Sequence, residues 1–458
     1  MVAEWRAKVE IANSLENDVI PDELRKIATF CDYDEDYNEE TEYEGSGETI
    51  ADNKPVMRND IRPRARIRER GSIISESLDS GAWWDPTEPV YYDYDETIAK
   101  GISEFNVSYV DILYRALQTI QENTCFKFVR RLEAGPKIRY VGNQEGCFAP
   151  LGKDSSYDEG VYYISLAPDC WTYSTVVHET FHAFGIGHEQ TRPDRRKYLL
   201  VDIANITTTN NWNEQFTIDG MIPFSSPFDY GSVMFYTPYE HHASNSSCNP
   251  VMFATDPRYQ FTISGEEGPT FYDLKQMNDI YKCNAYPTIK AVTCTNGGYL
   301  NPRNNSRCNC PSTFAGDTCT ELADSIGRSP NCGGRFLTGS RWTSLKAYIN
   351  GSYTDEHTCI WHIISPKDTQ IQLKVSIFDV ENVTLCNHES YCIDGSIEIK
   401  AIEDLRQTGY RFCCNESLSR VGNEFTSPED YLPVILHARQ PFNISLEYRS
   451  VPITVPSL

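Results

Sequence analysis

Residues 178–190 read HETFHAFGIGHEQ, and no other stretch constrains the fold of this chain as tightly. Three of the nine histidines fall within it. His178 and His182 are four apart, so on a helix they lie on one face, about one turn apart. Gly185 comes three residues after His182, and glycine tolerates the positive φ of a chain that leaves a helix and turns back. His188 can then approach the first two from a third direction. A helix that merely carries surface or core histidines would account for His178 and His182, but not for the Gly185 and His188 that follow. Three imidazoles at one point leave a coordination position for water, as in a catalytic zinc site rather than a structural one. Glu179 falls beside such an ion, where its carboxylate can take a proton from water.

Length and composition bound the rest. The 458 residues suffice for two to four domains, and 40% hydrophobic content can build cores. A net charge of -24 argues against nucleic-acid binding, which needs a basic face. No apolar run approaches the length of a membrane span. Sixteen cysteines tighten in spacing towards the C-terminus, which suggests disulfide-stapled modules. Glycosylation sequons begin at Asn106, Asn205, Asn245, Asn304, Asn350, Asn382, Asn415 and Asn443. Cysteines and sequons together point to a secreted, extracellular protein. MVAEWRAKVEIANS has no apolar h-region, so no signal peptide is visible, and an incomplete start would reconcile the two.

Four regions can be separated. Residues 1–70 hold an acidic block, DYDEDYNEETEYEGSGE, and then six arginines in RNDIRPRARIRER. Such charge runs are often simply solvated, but this order also fits a pro-segment with a basic cleavage region. Residues 71–284 read as α+β, with strands in PVYYDYD and GVYYISLA. Helices are expected over 106–124, with Asn106 or Ser108 as N-cap, and over 172–185, ended by Gly185. Residues 285–321 are polar, rich in Gly and Pro, and too poor in apolar residues for a core without disulfides. Residues 332–450 show short alternating strands, the pattern of an antiparallel sandwich.

DYGSVMFYTP contains Met234, one of only six methionines. A lone Met is ordinarily a core gap-filler, but a methionine turn downstream completes the H-E-x-x-H-x-x-G-x-x-H pattern of metzincins. With Glu189 after the third His, and Ser232-Val233-Met234-x-Tyr236 following, the chain resembles the astacin family of zinc endopeptidases. A short EGF-like module and a CUB module behind that region resemble nematode members in particular. The resemblance implies a two-lobed α+β metzincin domain and one Zn2+ per subunit, held by His178, His182 and His188. It implies Glu179 as general base, and Tyr236 as a resting zinc ligand that swings to support the oxyanion. Gly185 and Met234 would shape the site. Glu189 would bind the new N-terminus after activation, its alternative being an ordinary solvated Glu. Substrates would be proteins or peptides, with matrix proteins reached through the EGF-like and CUB modules. The rival from another class is a catalytically silent matrix-binding EGF/CUB protein.

Two departures stand out. Phe235 occupies a position where the family usually has His, and altered packing is the expectation. The pro-segment F-x-G-D pattern is missing; its nearest match, YEGSGETI, has Ser46 where Asp is expected. Glu48 and Cys31 are the candidates for a latency ligand, since a carboxylate or a thiolate can hold zinc.

By the same resemblance the cysteine pairs are Cys125–Cys283 and Cys147–Cys170, then Cys294–Cys308 and Cys310–Cys319, then Cys332–Cys359. Cys392 would pair with Cys413 or Cys414, and Cys386 with the other. Cys31 and Cys248 remain, either joined to each other or with Cys248 free. Glu381 and Asp394 approximate two positions of a CUB calcium site, but no third is evident and surface carboxylates are the simpler reading. VYYISLA is expected to be the edge strand of the cleft, where an extended substrate adds by main-chain hydrogen bonds.

Overall fold

The computed structural model describes residues 18–28 and 83–453, apart from 104, 145, 154–159, 208–212, 214, 219–224, 240–248, 264–267, 284–290, 328, 353–356, 379–391 and 393–394. Cys31, Glu48, the Arg-rich stretch, Cys248, Cys386, Glu381, Asp394, Asn245 and Asn382 therefore lie outside the described residues.

The first lobe is built on a five-stranded sheet. Its strands are β1 (Val90–Tyr94), β2 (Phe128–Arg130), β3 (Lys137–Val141), β4 (Cys147–Phe148) and β5 (Val161–Leu166), in the order β2-β1-β3-β5-β4. All pairings are parallel except β4 with β5. Strand β5 is thus next to the edge rather than at it. The two-residue strand β4 pairs only with Ser165 and Leu166. Strand β5 pairs with β3 from Val161 to Ser165.

Helix α1 (Asp22–Ala28) lies in the N-terminal region, and α2 (Glu96–Lys100) precedes α3 (Tyr109–Asn123). Ser108 is the N-cap of α3, while Asn106 has φ 60°. Ile112, Leu113, Ala116, Leu117 and Ile120 form the buried stripe of α3. It packs against α4 (Tyr173–Ala183), in which every residue from Ser174 to Ala183 is buried. That helix runs through the interior, so its histidines are not surface residues. A second lobe follows, with little regular structure among its described residues. It has an antiparallel pair, β6 (Leu199–Val201) and β7 (Met252–Ala254), and α5 (Phe271–Ile280), which starts in a Thr270–Asp273 capping box. The apolar cores of the two lobes divide between Met234 and Phe235. Helix α1 docks on the second lobe, with Arg25 paired to Asp202 at 2.6 Å.

Next comes a cysteine-rich module of two small sheets, β8 (Tyr299–Leu300) with β9 (Cys308–Asn309), and β10 (Phe314–Ala315) with β11 (Glu321–Leu322). It is fastened to the end of α3 by Asn301 and Asn309, which donate to the carbonyls of Glu122 and Asn123 at 2.8 and 2.9 Å.

Two sheets then form a sandwich. One holds β12 (Gly334–Leu337), β14 (His357–Ile364), β19 (Tyr431–Ala438), β16 (Gly395–Ile399) and β17 (Tyr410–Phe412). The other holds β13 (Thr343–Asn350), β20 (Pro441–Pro452), β15 (Thr369–Phe378) and β18 (Glu424–Thr426). Alternate residues of both sheets, with Trp361 among them, make a continuous core. The sandwich runs two residues past 450, because β20 pairs along its length with β15. The β12–β14 pair is parallel, so the sandwich is not wholly antiparallel. A short helix, α6 (Asn415–Val421), crosses its end. Among the described residues no helix is long and apolar enough to cross a membrane.

Six disulfides join described cysteines: 125–283, 147–170, 294–308, 310–319, 332–359 and 392–413. Cys392 thus takes Cys413 rather than Cys414, which is also disulfide-bonded. Asn106, Asn205, Asn304, Asn350 and Asn415 are exposed, and Asn443 is half-buried in β20.

Glu398 is a charged group inside the sandwich. Lys400 Nζ lies 3.0 Å from its carboxylate and Arg411 Nε 3.2 Å, and the Gly409 amide donates at 2.9 Å. Burial opposes the charge, but Lys400, then Arg411 and the amide, outweigh it and hold the carboxyl at about 2. A folded-state value below the usual 4.5 stabilises the sandwich above about pH 4.5, and that stability is lost as pH falls towards 2. We therefore expect Glu398→Gln to flatten the acid limb of a stability-against-pH curve over that window. At neutral pH it should cost about 3 kcal/mol, because Lys400 and Arg411 lose their buried partner. Denaturant titrations followed by tryptophan fluorescence, with Trp361 in the sandwich core among the reporters, would measure both.

Candidate metal centre

The site begins with a well-started helix. Thr172 caps α4 by accepting from the Thr175 amide at 3.1 Å. The other end is pinned by Trp84, whose indole donates to the Ala183 carbonyl at 2.8 Å. Gly185 then takes φ +80°, and a Cβ there would lie 3.2 Å from the Trp83 ring. The left-handed φ favours glycine, and the nearby ring leaves little room for a side chain. The His182 carbonyl accepts from Gly185 at 2.9 Å and from Gly152 at 2.8 Å, closing the helix end.

This turn brings His188 back. The ring centroids of His178 and His182 are 4.6 Å apart, those of His182 and His188 4.6 Å, and those of His178 and His188 5.3 Å. One ligand atom from each lies within 4.8 Å of the others, and all three residues are buried. Among the described residues no other group of His, Cys, Asp or Glu gathers in this way. The tautomers follow from the surroundings. His178 Nδ1 meets the Val233 carbonyl at 2.6 Å, and His182 Nδ1 meets the Ile186 carbonyl at 2.8 Å. A carbonyl can only accept, so each Nδ1 carries the hydrogen and each Nε2 keeps its lone pair. His182 Nε2 lies 3.0 Å from His188 Nε2, so the helix and the returning chain address one point. Nitrogen donors in this arrangement fit a Zn2+ ion.

A turn at 232–236 lies against the histidines and is held from three sides. The Asp273 carboxylate, at the start of α5, accepts from Ser232 Oγ at 2.6 Å and from the Val233 amide at 2.9 Å. Burial pushes that carboxyl up to about 6, against the pull of these hydrogen bonds. The Val233 carbonyl orients His178, and the Met234 carbonyl accepts from the Glu189 amide at 2.9 Å. Tyr236 is buried, with its ring centroid 4.4 Å from that of His188. Phe235 packs edge-on against Phe228 at 5.7 Å, an apolar use of that position. Glu179, one residue after the first ligand, is fully buried.

The Glu189 carboxylate has Arg192 and Asp229 as partners, lying 3.0 Å from Arg192 and accepting from the Asp229 amide at 2.9 Å. Burial pushes this carboxyl up to about 8, against the pull of Arg192 and that amide. It is therefore a buried paired group and not a solvated Glu.

Several contributors escape sequence reading. Asp273 could have been noticed through the Thr270–Asp273 capping signal, although that signal says nothing of what else its carboxylate holds. Arg192 and Asp229 carry no local mark. The Val233 and Ile186 carbonyls are backbone atoms, which no residue type announces.

Comparisons with known proteins agree with this geometry. Residues 77–282 match the family model described as astacin (peptidase family M12A), and residues 332–423 match the CUB domain model. The zinc metalloproteinase nas-28 of Caenorhabditis elegans is 30% identical over 417 residues, covering 88% of this chain and 79% of the relative. Zinc metalloproteinase nas-29 of the same organism is 32% identical over 408 residues, covering 86% and 72%. Among solved structures, high choriolytic enzyme 1, a hatching enzyme zinc-protease from Oryzias latipes, matches 45% of this chain and 98% of its own, at 23% identity and a TM-score of 0.38. Three converging imidazoles, the family match over the two lobes and relatives along most of the chain lead to one conclusion: the chain belongs to the astacin family of zinc metalloendopeptidases, with a CUB domain behind its catalytic domain.

Proposed function

We propose that this protein is a secreted endopeptidase made as a zymogen, which cuts extracellular or matrix proteins with Glu179 as general base and Tyr236 as oxyanion donor. The observation that carries the catalytic part is the buried cluster of His178, His182 and His188 with Glu179 on the same helix. A bound Zn2+ lowers the pKa of water towards about 7 and polarises a carbonyl. The Glu179 carboxylate takes the proton of the attacking water and passes it to the leaving amine. Its surroundings exclude bulk solvent, so the proton is retained for that second transfer. The Tyr236 hydroxyl donates to the oxyanion that develops on the substrate carbonyl. Val161–Ile164 is read as the strand to which an extended peptide would add by main-chain hydrogen bonds. Glu189 with Arg192 holds the chain after the third histidine, and after processing it would receive the new α-amino group.

Residues 1–70 are read as the pro-segment, with Glu48 or Cys31 as latency ligand and the Arg-rich stretch as the cleavage region. The module at 285–321 is read as EGF-like, on its two short disulfide-bonded hairpins. Exposed sequons and six disulfides favour the secretory route. With the CUB domain, the EGF-like module would place the enzyme on matrix proteins.

Glu179→Gln should lower kcat/KM by about 10²–10⁴-fold on a quenched peptide while zinc content stays unchanged. Tyr236→Phe should lower kcat by about 10²-fold with little change in KM. If protein freed of residues 1–70 carried full zinc yet left long peptides uncut, the chain would be a silent matrix binder. Unprocessed Glu48→Ala or Cys31→Ala protein should gain activity if that side chain enforces latency; full latency in both would remove both candidates.

A further inference from the structure

The CUB domain is not a loosely tethered appendage. Its loop over residues 404–411 lies directly on the segment that supports the zinc ligands. The Thr408 amide donates to Asp229 Oδ1 at 3.1 Å, and Gln407 Nε2 donates to the Phe228 carbonyl at 2.8 Å. The Tyr272 hydroxyl, next to the Asp273 that clamps the 232–236 turn, donates to Asp404 at 2.7 Å. Thr262 Oγ1 accepts from the Arg411 amide at 2.9 Å. The loop therefore touches both arms of the clamp, at 228–231 and at 272.

The fit is close. A Cβ added at Gly231 would lie 2.4 Å from Thr408 Oγ1 and 2.7 Å from its Cβ. The loop is also braced from behind, where Lys400 donates to the carbonyls of Leu405 and Gln407 at 3.1 and 2.6 Å, and Glu398 holds Lys400 and Arg411. From Asp229 the connection continues to the metal centre. Its amide donates to Glu189, and its carbonyl accepts from Ser232 at 3.1 Å. Ser232 leads into Val233, whose carbonyl orients His178.

We propose that the 404–411 loop of the CUB domain, through Gln407 and Thr408, positions the 228–234 segment and thereby sets the orientation of His178 and His188 towards zinc. Gln407 and Thr408 are positioning residues, since neither reaches the histidines. Shifting Phe228–Gly231 moves the carbonyl that fixes the His178 tautomer and the carboxylate that anchors the chain after His188. The proposal rests on the three histidines holding zinc.

The test uses the full chain with Co2+ in place of Zn2+, whose visible absorption reports ligand geometry independently of proteolysis. Gly231→Ala pushes against Thr408 at a position whose φ is not left-handed, so it should alter the Co2+ spectrum. Zn2+ affinity, read by chelator competition, should fall about tenfold, as for loss of an outer-shell contact. Adding Thr408→Gly to Gly231→Ala removes the opposing side chain and should move both readings back towards wild type, short of full recovery because the Thr408 side-chain hydrogen bond to Asp229 is lost as well. Gln407→Ala, which inserts nothing, should weaken Zn2+ by about fivefold, the worth of one hydrogen bond. Unchanged spectra and affinities in Gly231→Ala and Gln407→Ala would overturn the proposal, as would failure of Thr408→Gly to rescue a folded Gly231→Ala protein. Should Gly231→Ala not fold, Gln407→Ala alone decides. Wild-type protein that took up neither Co2+ nor Zn2+ would overturn the zinc reading itself.

Discussion

The structure depends on bringing three imidazoles, two from a buried helix and one from the chain after it, to one point inside the protein. Burial makes this demanding, because each ring needs its second nitrogen satisfied before the first can face a metal ion. The Val233 and Ile186 carbonyls meet that need for His178 and His182. The position of Val233 depends on Asp273, that of Ile186 on the glycine that lets the chain reverse, and that of His188 on the strand of contacts from Glu189 to Met234. Each lobe contributes a part, and the cores divide within the turn that holds the first ligand.

Buried carboxylates recur wherever irregular chain must be held still. Asp273 clamps the methionine turn, Glu189 and Asp229 fasten the chain beside the third ligand, and Glu398 braces the CUB loop that reaches them. Among its described residues the second lobe has few strands and helices, and side-chain acceptors hold the irregular chain. A carboxylate can accept several hydrogen bonds at once, which suits it to joining distant amides. The same economy explains why the CUB domain and the catalytic domain meet through polar loops around Asp229 and Tyr272, with Phe261 of the catalytic region entering the sandwich core.

The helices and strands that carry the metal site were readable along the chain. Periodicity marked α3, and the spacing of His178, His182 and Gly185 marked α4 and its end, because these are local properties with a local cause. The edge position expected for β5 was not fully met, since a two-residue strand is too short to leave a pattern in the sequence. Cys392 had two plausible partners, and only the packing of β16 beside β17 selected Cys413 over its neighbour. Glu189 read as a binder of the new N-terminus, with a solvated Glu as the alternative, and its burial beside Arg192 and Asp229 removes that alternative.

By itself the sequence determined the three histidine donors, with a glutamate and a glycine beside them, at spacings that a helix and one left-handed turn convert into a site. It also determined the order of modules, through cysteine density and strand alternation. The tertiary structure alone decided which backbone carbonyls set the ring tautomers, which carboxylate clamps the methionine turn, and that a CUB loop 179 positions away rests on that turn's approach. The difference has a physical origin. Ligand spacing is written in the rise and twist of a single helix, whereas long-range hydrogen bonds depend on the summed path of many loops and leave no period for a reader of one chain to find.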